Sequence, residues 1–204
     1  MHLLAQGGIL MYVILACSVL ALGIFLEKAF HLHRAAIDPG LFLREIRGMV
    51  GAGELEEALE LCIRTPGPIA HIVRAGLSRA GRPRPQIKEA IKDAGLREVS
   101  RLESHLGILA TVAHIAPLLG LLGTVLGMIR TFRAIESLSG AVNPSNLAGG
   151  IWEALLTTAF GLIVAIGAFV GYNFLVSRVE RIVVGMETSA VEIADLLAAP
   201  EASR

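Results

Sequence analysis

The chain has 204 residues and carries 18 Lys and Arg residues against 18 Asp and Glu residues, so its formal net charge is zero. This balance argues against nucleic-acid binding through charge and against a polybasic protein of the membrane surface. Hydrophobic residues make up 54% of the chain without its 22 glycines, whereas an ordinary soluble domain reaches about 45–50% with glycine included. The excess predicts that part of the chain lies in a lipid bilayer.

Three blocks contain no Asp, Glu, Lys or Arg: residues 3–26, 106–129 and 154–177. Each block is long enough to cross a bilayer as a helix. We therefore expect an all-α integral membrane protein with three transmembrane helices, at residues 7–27, 106–131 and 152–176.

The first block is expected to remain as an anchor. Glu27 and Lys28 follow it and no Lys or Arg precedes it, which reverses the charge order of a cleavable signal peptide.

Thirteen Lys and Arg residues lie between Lys28 and Arg101, so the positive-inside rule predicts that this stretch is cytoplasmic. Arg130 and Arg133, at the outer end of the second span, would favour the opposite orientation, but they are only two positive charges against thirteen. The N-terminus is expected outside and the C-terminus inside.

The cytoplasmic region, residues 28–105, is divided by Pro and Gly into short segments. Between Glu54 and Thr65, for example, Leu55, Leu59 and Cys62 recur at helical spacing on one face. This pattern predicts a set of small amphipathic helices.

Two longer helices are expected to pass from the membrane into the cytoplasm. No helix breaker occurs between Pro85 and Pro117, which predicts one helix from Gln86 to Ala116, and the pattern from Glu153 to Leu197 predicts another. Their extensions would form a cytoplasmic helical stalk. The remaining segments are an outer N-terminus at 1–6, a periplasmic loop at 132–151, and a cytoplasmic C-terminal helix and tail at 177–204.

The second and third spans each have a face of small residues, spaced three or four apart. These faces include Ala110, Ala113, Pro117, Gly120, Thr124, Gly127 and Thr131 in the second span, and Ala154, Thr158, Gly161, Ala165 and Ala168 in the third. Either the two spans pack on each other through these faces, or they line a shared central space while the first span faces lipid. Thr124 and Thr158 each lie about five residues, or ~8 Å, inside the outer boundary. This common level favours the shared space.

The hydrocarbon middle of each span has no Asp, Glu, Lys or Arg, so a proton relay would need an acid from another subunit. His114 is more typical of a hydrogen-bonded packing residue than of a proton shuttle. Glu153, at the mouth of the third span, is either a carboxylate favoured by the positive end of its helix or part of an ion pathway.

The sequence has no catalytic constellation and no phosphate-binding loop. We expect neither an enzyme nor a bound cofactor or metal.

The segments 116–129 (APLLGLLGTVLGMI), 149–162 (GGIWEALLTTAFGL) and Tyr172-Asn173 resemble the MotA/TolQ/ExbB proton-channel family. Three spans and a cytoplasmic helical insert are similar to its ExbB/TolQ branch, with the ExbB-like type favoured. The resemblance implies a homopentameric ring. The second and third spans of this ring would surround the single transmembrane helices of ExbD-like or TolR-like partners, each with a membrane aspartate.

The resemblance also implies roles for individual residues. Thr124 and Thr158 would line the interior near the partner aspartate, and Glu153 would be the acidic residue at the start of the third span. The pair Thr157-Thr158 replaces a commoner Ala-Thr, so Thr157 is a further candidate for the proton pathway. The small residues assigned to the pore stripe are Pro117, Gly120, Gly127, Gly161 and Ala165.

The function implied is that of a ring subunit in a motor of the bacterial inner membrane, driven by the proton-motive force. It would couple proton flow to work on a periplasmic transducer of the TonB or TolA type. Two alternatives remain open: a non-conducting membrane scaffold for partner helices, and a stand-alone ion channel.

Overall fold

The structure of the chain, a computed structural model, describes residues 8–35, 37–137 and 144–198. The expected outer N-terminus at 1–6 lies outside these ranges, as do residues 138–143 of the expected loop and 199–204 of the tail. Within the described ranges all regular structure is α-helical, which confirms the all-α class. The helices are α1 (Gly8–Ala35), α2 (Pro39–Ala52), α3 (Leu55–Arg64), α4 (Pro68–Leu77), α5 (Arg84–Glu103), α6 (Leu106–Ser137) and α7 (Pro144–Leu197).

Three stretches are long and apolar enough, by length and composition, to contain a membrane-crossing helix: Gly8–Ala52, which joins α1 and α2, Arg84–Glu136, which joins α5 and α6, and Ala148–Leu197 within α7. Residues 8–26 of the first uncharged block lie in α1, and the other two blocks lie in α6 and α7. The expectation of three membrane-spanning helices therefore agrees with the fold. Ring assembly remains a prediction.

Contacts divide the chain into two compact units. The first unit contains the residues up to Glu27 together with His105–Leu175, and the second contains Lys28–Ser104 together with the residues from Val176 onward. The uncharged part of α1, the whole of α6 and the first part of α7 form the first unit. Helices α2 to α5 and the last part of α7 form the second.

In the second unit, helix ends occur where Pro and Gly interrupt the sequence, as expected. Asp38 caps α2 because its carboxylate accepts the backbone N–H of Gly40 at 2.9 Å, and Pro39 occupies the first turn, where a missing N–H costs nothing. Gly53 ends the same helix in the left-handed conformation, with φ +83°. The division into short amphipathic helices is confirmed.

The apolar faces of these helices meet in one core. Ile46 of α2, Cys62 of α3, Ile72 of α4 and Ile87 of α5 are each at most 1% exposed. Ile193 of α7 is equally buried, so the last part of α7 completes this core. Apolar burial of this kind is what stabilises short helices that are marginal in isolation.

The prediction of one helix from Gln86 to Ala116 is wrong. The helix is interrupted at Ser104 and His105, and His105 adopts φ +65°. This left-handed conformation is uncommon for a residue with a Cβ atom and ends α5 without the help of Gly or Pro.

The interruption is stabilised by hydrogen bonds that no local pattern predicts. Lys28 is only 4% exposed, and its ammonium group donates to the Ser104 hydroxyl at 2.8 Å and to the Arg101 carbonyl at 3.2 Å. These bonds satisfy polar groups at the end of α5. The carbonyl of His105 then accepts the N–H of Ile108 at 3.1 Å and starts the next helix.

The prediction of a second long helix is confirmed. Helix α7 continues without a break for 54 residues, or ~81 Å at 1.5 Å per residue. Helix α6 likewise continues through Pro117. Both helices also extend into the segment 132–151, since α6 ends at Ser137 and α7 begins at Pro144.

In the first unit, α1 packs against α7 through aromatic side chains. The rings of Phe25 and Phe174 lie 6.3 Å apart between centroids, a separation typical of a tilted aromatic pair. A Cβ atom on Gly171 would lie 3.0 Å from the Phe25 ring, so glycine gives this ring the room it occupies. The opposite face of α1 is apolar and exposed, as at Ile9 and Val19.

Candidate functional site

The small faces of α6 and α7 are in direct contact within one chain. A Cβ atom on Gly120 would lie 2.9 Å from the Cα atom of Thr158, and one on Gly161 would lie 2.6 Å from the Ala116 carbonyl oxygen. A Cβ atom on Gly127 would lie 2.7 Å from that of Ala154. These distances are too short for any larger residue, so glycine is what allows the two backbones to approach this closely.

The three threonines of the site have different environments. The Thr158 hydroxyl is half-buried and donates to the Gly120 carbonyl at 2.8 Å, across the two helices. Thr157 is 2% exposed and donates to the Ala154 carbonyl of its own helix at 2.8 Å. Thr124 is half-buried and donates to the Leu121 carbonyl at 2.6 Å.

The hydroxyls of Thr124 and Thr158 lie at nearly the same level of the helix pair. Thr158 donates to the carbonyl of Gly120, and Thr124 donates to the carbonyl of Leu121. These two acceptors belong to consecutive residues of α6, which are ~1.5 Å apart along the helix axis. The expected common level of the two hydroxyls therefore agrees with the structure, and their depth in a membrane remains a prediction.

Glu153 forms an ion pair that the sequence did not predict. Its carboxylate accepts from the Arg130 guanidinium of α6 at 3.0 Å, and the two side chains are 29% and 58% exposed. A Cβ atom on Gly8, at the start of α1, would lie 2.7 Å from the same carboxylate oxygen. Residues from all three membrane helices therefore meet at Glu153. Opposite charges at adjoining ends of two consecutive spans signal an ion pair, but they do not identify the partner of Glu153, because Arg130 and Arg133 both lie at that end of the second span.

The stripe residues occupy the α6–α7 contact. Gly120, Gly127, Gly161 and Ala165 are buried within the single chain, and Pro117 is half-buried. Packing of the two spans on each other, one of the two interpretations left open, is therefore observed. Lining of a space shared between several copies remains a prediction for these residues.

No Asp, Glu, Lys or Arg lies in residues 106–129 or 154–177. His114 is exposed, and its Nδ1–H donates to the Ala110 carbonyl at 2.7 Å. This bond is internal to α6 and fixes the ring against its own helix. In the described ranges, no three His, Cys, Asp or Glu side chains are grouped as metal ligands.

Comparison with known proteins places these features in a family. Residues 64–188, more than half of the chain, match the model of the MotA/TolQ/ExbB proton channel family. The matched range contains α6 and the part of α7 that carries the threonines.

Individual relatives match over most of the chain. A Methanothermobacter thermautotrophicus protein, named as a homologue of the biopolymer transport protein ExbB, is 30% identical over 181 residues, or 88% of this chain and 64% of its own length. The biopolymer transport protein exbB1 of Vibrio cholerae is 28% identical, over 89% of this chain and 81% of its own length. The Tol-Pal system protein TolQ of Pseudomonas aeruginosa is 35% identical over 63% of this chain and 60% of its own length.

The chain spans less than two thirds of the length of the first and third of these relatives. Its three apolar helices and the family match nevertheless agree. This chain is a membrane protein that belongs to the MotA/TolQ/ExbB proton channel family, in its ExbB/TolQ branch.

Proposed function

We propose that this chain is the ring subunit of a motor driven by the proton-motive force in a bacterial inner membrane. Copies of the chain, five in the proposed ring, would enclose single-span partner subunits that resemble ExbD or TolR. Proton flow would then perform work on a transducer of the TonB or TolA type. One observation carries the proposal: α6 and α7 offer hydroxyl groups along uncharged helices but no carboxylate at the same depth.

The missing carboxylate would come from the partner helix. An ionised carboxylate among apolar and small residues is costly unless donors stabilise it. The hydroxyls of Thr124 and Thr158 are suited to this task because both are half-buried rather than enclosed. A carboxylate is a stronger acceptor than a peptide carbonyl, so each hydroxyl would turn from its carbonyl toward the charged acid.

Each hydroxyl also has an acceptor to which it returns. When the partner acid is protonated, Thr158 donates to Gly120 and Thr124 donates to Leu121, the bonds present in the single chain. Neither hydroxyl is then left without a partner in the membrane. Every proton that crosses 100 mV supplies ~2.3 kcal/mol, which is available to move the ring relative to the enclosed helices.

Glu153 is proposed to act at the outer end of the pathway. Its carboxylate is already paired with Arg130 at 3.0 Å, and the pair is partly exposed, so it contributes little to stability. An ion pair of this kind can open at low cost. We propose that Glu153 receives protons from the outer side and that Thr157, one turn farther in, supports the backbone around Gly123.

The test uses a hydroxyl deletion with a matched control. Thr158→Val removes the bond to Gly120, whereas Thr111→Val removes a hydroxyl that bonds only to Gly107 of its own helix. The variants are co-reconstituted into liposomes with a single-span partner that carries a membrane aspartate, and proton uptake is followed with a pH-sensitive dye. We expect Thr158→Val to assemble and to lose at least ~90% of the flux, about 1.4 kcal/mol in the barrier. Thr111→Val should retain the flux.

Full flux in Thr158→Val would contradict the proposal. It would favour a scaffold, which the packing of α6 on α7 within one chain also fits. A scaffold predicts that hydroxyl loss changes only stability. Proton flux through the chain reconstituted without any partner would instead identify a stand-alone channel.

A further inference from the structure

We propose that a cavity between α4 and α5 binds a phosphate-bearing anion. The cavity has a volume of about 350 Å³ and is lined mainly by polar atoms. It lies wholly within the second unit and takes no part in the proposed proton pathway. This inference is therefore independent of the motor.

The cavity lies between two helix faces with the same periodicity. His71 and Arg74 lie on α4 and Ser78 directly follows its last residue, while Arg97, Glu98 and Arg101 lie on α5. Ala75 and Ala94 leave room between the two rows because their side chains are small. Side chains three or four residues apart share a helix face, so each row turns its charges into the same space.

The carboxylate that lines the cavity, Glu98, already has hydrogen-bond partners within the protein. Glu98 is only 13% exposed, and it accepts from His71 at 3.1 Å and from Arg101 at 3.0 Å. The Arg101 guanidinium compensates the negative charge that would otherwise repel an anion, and the same ion pair holds this guanidinium at one side of the cavity.

Two guanidinium groups remain available. Among the described residues, neither Arg74 nor Arg97 forms an ion pair, and both are exposed. The Ser78 hydroxyl donates to the Arg74 carbonyl at 2.8 Å and would have to exchange this bond to reach a ligand. Recognition therefore rests on guanidinium groups, whose planar donors match the oxygens of phosphate.

The charge and size of the cavity favour phosphate over a carboxylate or a peptide. Three arginines against one glutamate leave two positive charges before His71 is counted. A phosphate monoester carries about −1.5 to −2 at neutral pH, which matches this surplus better than a single carboxylate does. A cavity of this volume is at the lower end of small-molecule sites and is too small for an extended chain.

The phosphate has two possible sources. Arg101 precedes the second apolar block by five residues in sequence, and juxtamembrane arginines attract anionic lipid headgroups. A soluble phosphate compound of the cytoplasm has the same chemistry. The experiment below separates the two.

The test uses the full chain purified in a neutral detergent. Binding of inorganic pyrophosphate is measured by isothermal titration calorimetry, and binding of phosphatidic acid, a lipid with a phosphate monoester, is measured by native mass spectrometry with phosphatidylcholine as reference. The test variant is Arg74→Gln/Arg97→Gln. Its matched control, Arg79→Gln/Arg82→Gln, removes the same charge in the loop before α5, outside the cavity.

We expect the Arg74→Gln/Arg97→Gln variant to bind at least ~10-fold more weakly than the wild type, since charge-assisted bonds are lost, while the control binds as the wild type does. Ala75→Leu narrows the cavity without changing any charge and should also weaken binding. Binding of phosphatidic acid alone would assign the site to a lipid headgroup, and binding of pyrophosphate, with or without the lipid, would assign it to a soluble phosphate. Equal binding by the test variant, equal weakening in the control, or no binding of either probe would overturn the proposal.

Discussion

At the scale of single residues, the small side chains of α6 and α7 have a steric role that can be tested without any partner. At Gly161 an added Cβ would meet the backbone carbonyl of Ala116, not a flexible side chain. Backbone atoms cannot move aside without separating the two helices. Gly167 of the same helix has no atom within 4 Å of its added Cβ, so it provides a matched control.

We predict that Gly161→Ala destabilises the folded chain by about 1–3 kcal/mol, because overpacking of this size forces backbone shifts. Gly167→Ala should leave stability unchanged or raise it by up to about 1 kcal/mol, since alanine favours the helix. Thermal unfolding in detergent, followed by circular dichroism, measures both. Equal effects of the two substitutions would mean that α6 and α7 are farther apart than the structure has them.

The second residue-scale feature is the buried thiol of Cys62. Burial raises its pKa from the ordinary 9.0 to about 11, and the nearby Arg74 guanidinium offsets part of this rise. The folded state therefore holds the thiol proton more tightly than the unfolded chain does. Its contribution to stability is unchanged below about pH 9 and falls as the pH rises from about 9 to about 11.

In a Cys17→Ser background we predict that maleimide reacts with Cys62 roughly 100-fold more slowly at pH 8 in the folded chain than after denaturation, because only the thiolate reacts. The control is Cys62→Ser/Ile63→Cys, which places a thiol on the exposed side of the same helix. That thiol should react quickly in both states. Rapid reaction of Cys62 in the folded chain would contradict its burial.

At the scale of helices, the ends of the short helices could be predicted from the sequence, but the interruption between α5 and α6 could not. Short helices ended by Pro and Gly could be predicted from Asp38, Pro39 and Gly53, because their turn chemistry is local. The break at His105 could not. It depends on hydrogen bonds from Lys28, which is 76 residues away from Ser104 in sequence.

The candidate site likewise has some features that the sequence predicts and others that it does not. The small faces of α6 and α7 follow from helical spacing, so Gly120 and Gly161 could be predicted as close-packing residues. The partner of Glu153 and the pairing of Thr158 with Gly120 could not. Both depend on the register of one helix against another, which side-chain periodicity leaves undetermined.

The interruption at His105 can be tested by substitution with glycine. With φ at +65°, His105 occupies a conformation that glycine adopts without penalty. We therefore expect His105→Gly to stabilise the chain by up to about 1 kcal/mol, because relief of the left-handed strain, about 1–2 kcal/mol, exceeds the conformational entropy that glycine adds to the unfolded chain, about 0.5–1 kcal/mol. His114→Gly, inside α6, should destabilise it by about 1 kcal/mol.

Chemical unfolding of the two variants, side by side, measures the difference. If α5 and α6 were one continuous helix, glycine would lower the free energy of unfolding at both positions. Similar losses for His105→Gly and His114→Gly would therefore reject the interruption and restore the single helix from Gln86 to Ala116.

At the scale of the whole molecule, the distribution of charge predicts how the chain crosses the membrane. Thirteen Lys and Arg residues between Lys28 and Arg101 outnumber Arg130 and Arg133, the two at the far end of the second span. This asymmetry predicts an orientation in which the N-terminus is outside.

We predict that Arg82→Cys, in a background without native cysteines, is labelled by a membrane-impermeant maleimide only after the cells are opened. Arg133→Cys should be labelled in intact spheroplasts. Both positions are exposed in the chain, so any difference reports the side of the membrane and not burial. Labelling of Arg82→Cys from outside would reverse the orientation.

The unbroken course of α7 has a consequence for its backbone. All 54 residues from Pro144 to Leu197 belong to one helix, so each N–H in the helix interior has a carbonyl acceptor one turn earlier in the same helix. A backbone whose polar groups are paired in this way needs no hydrogen-bond partner from lipid or water.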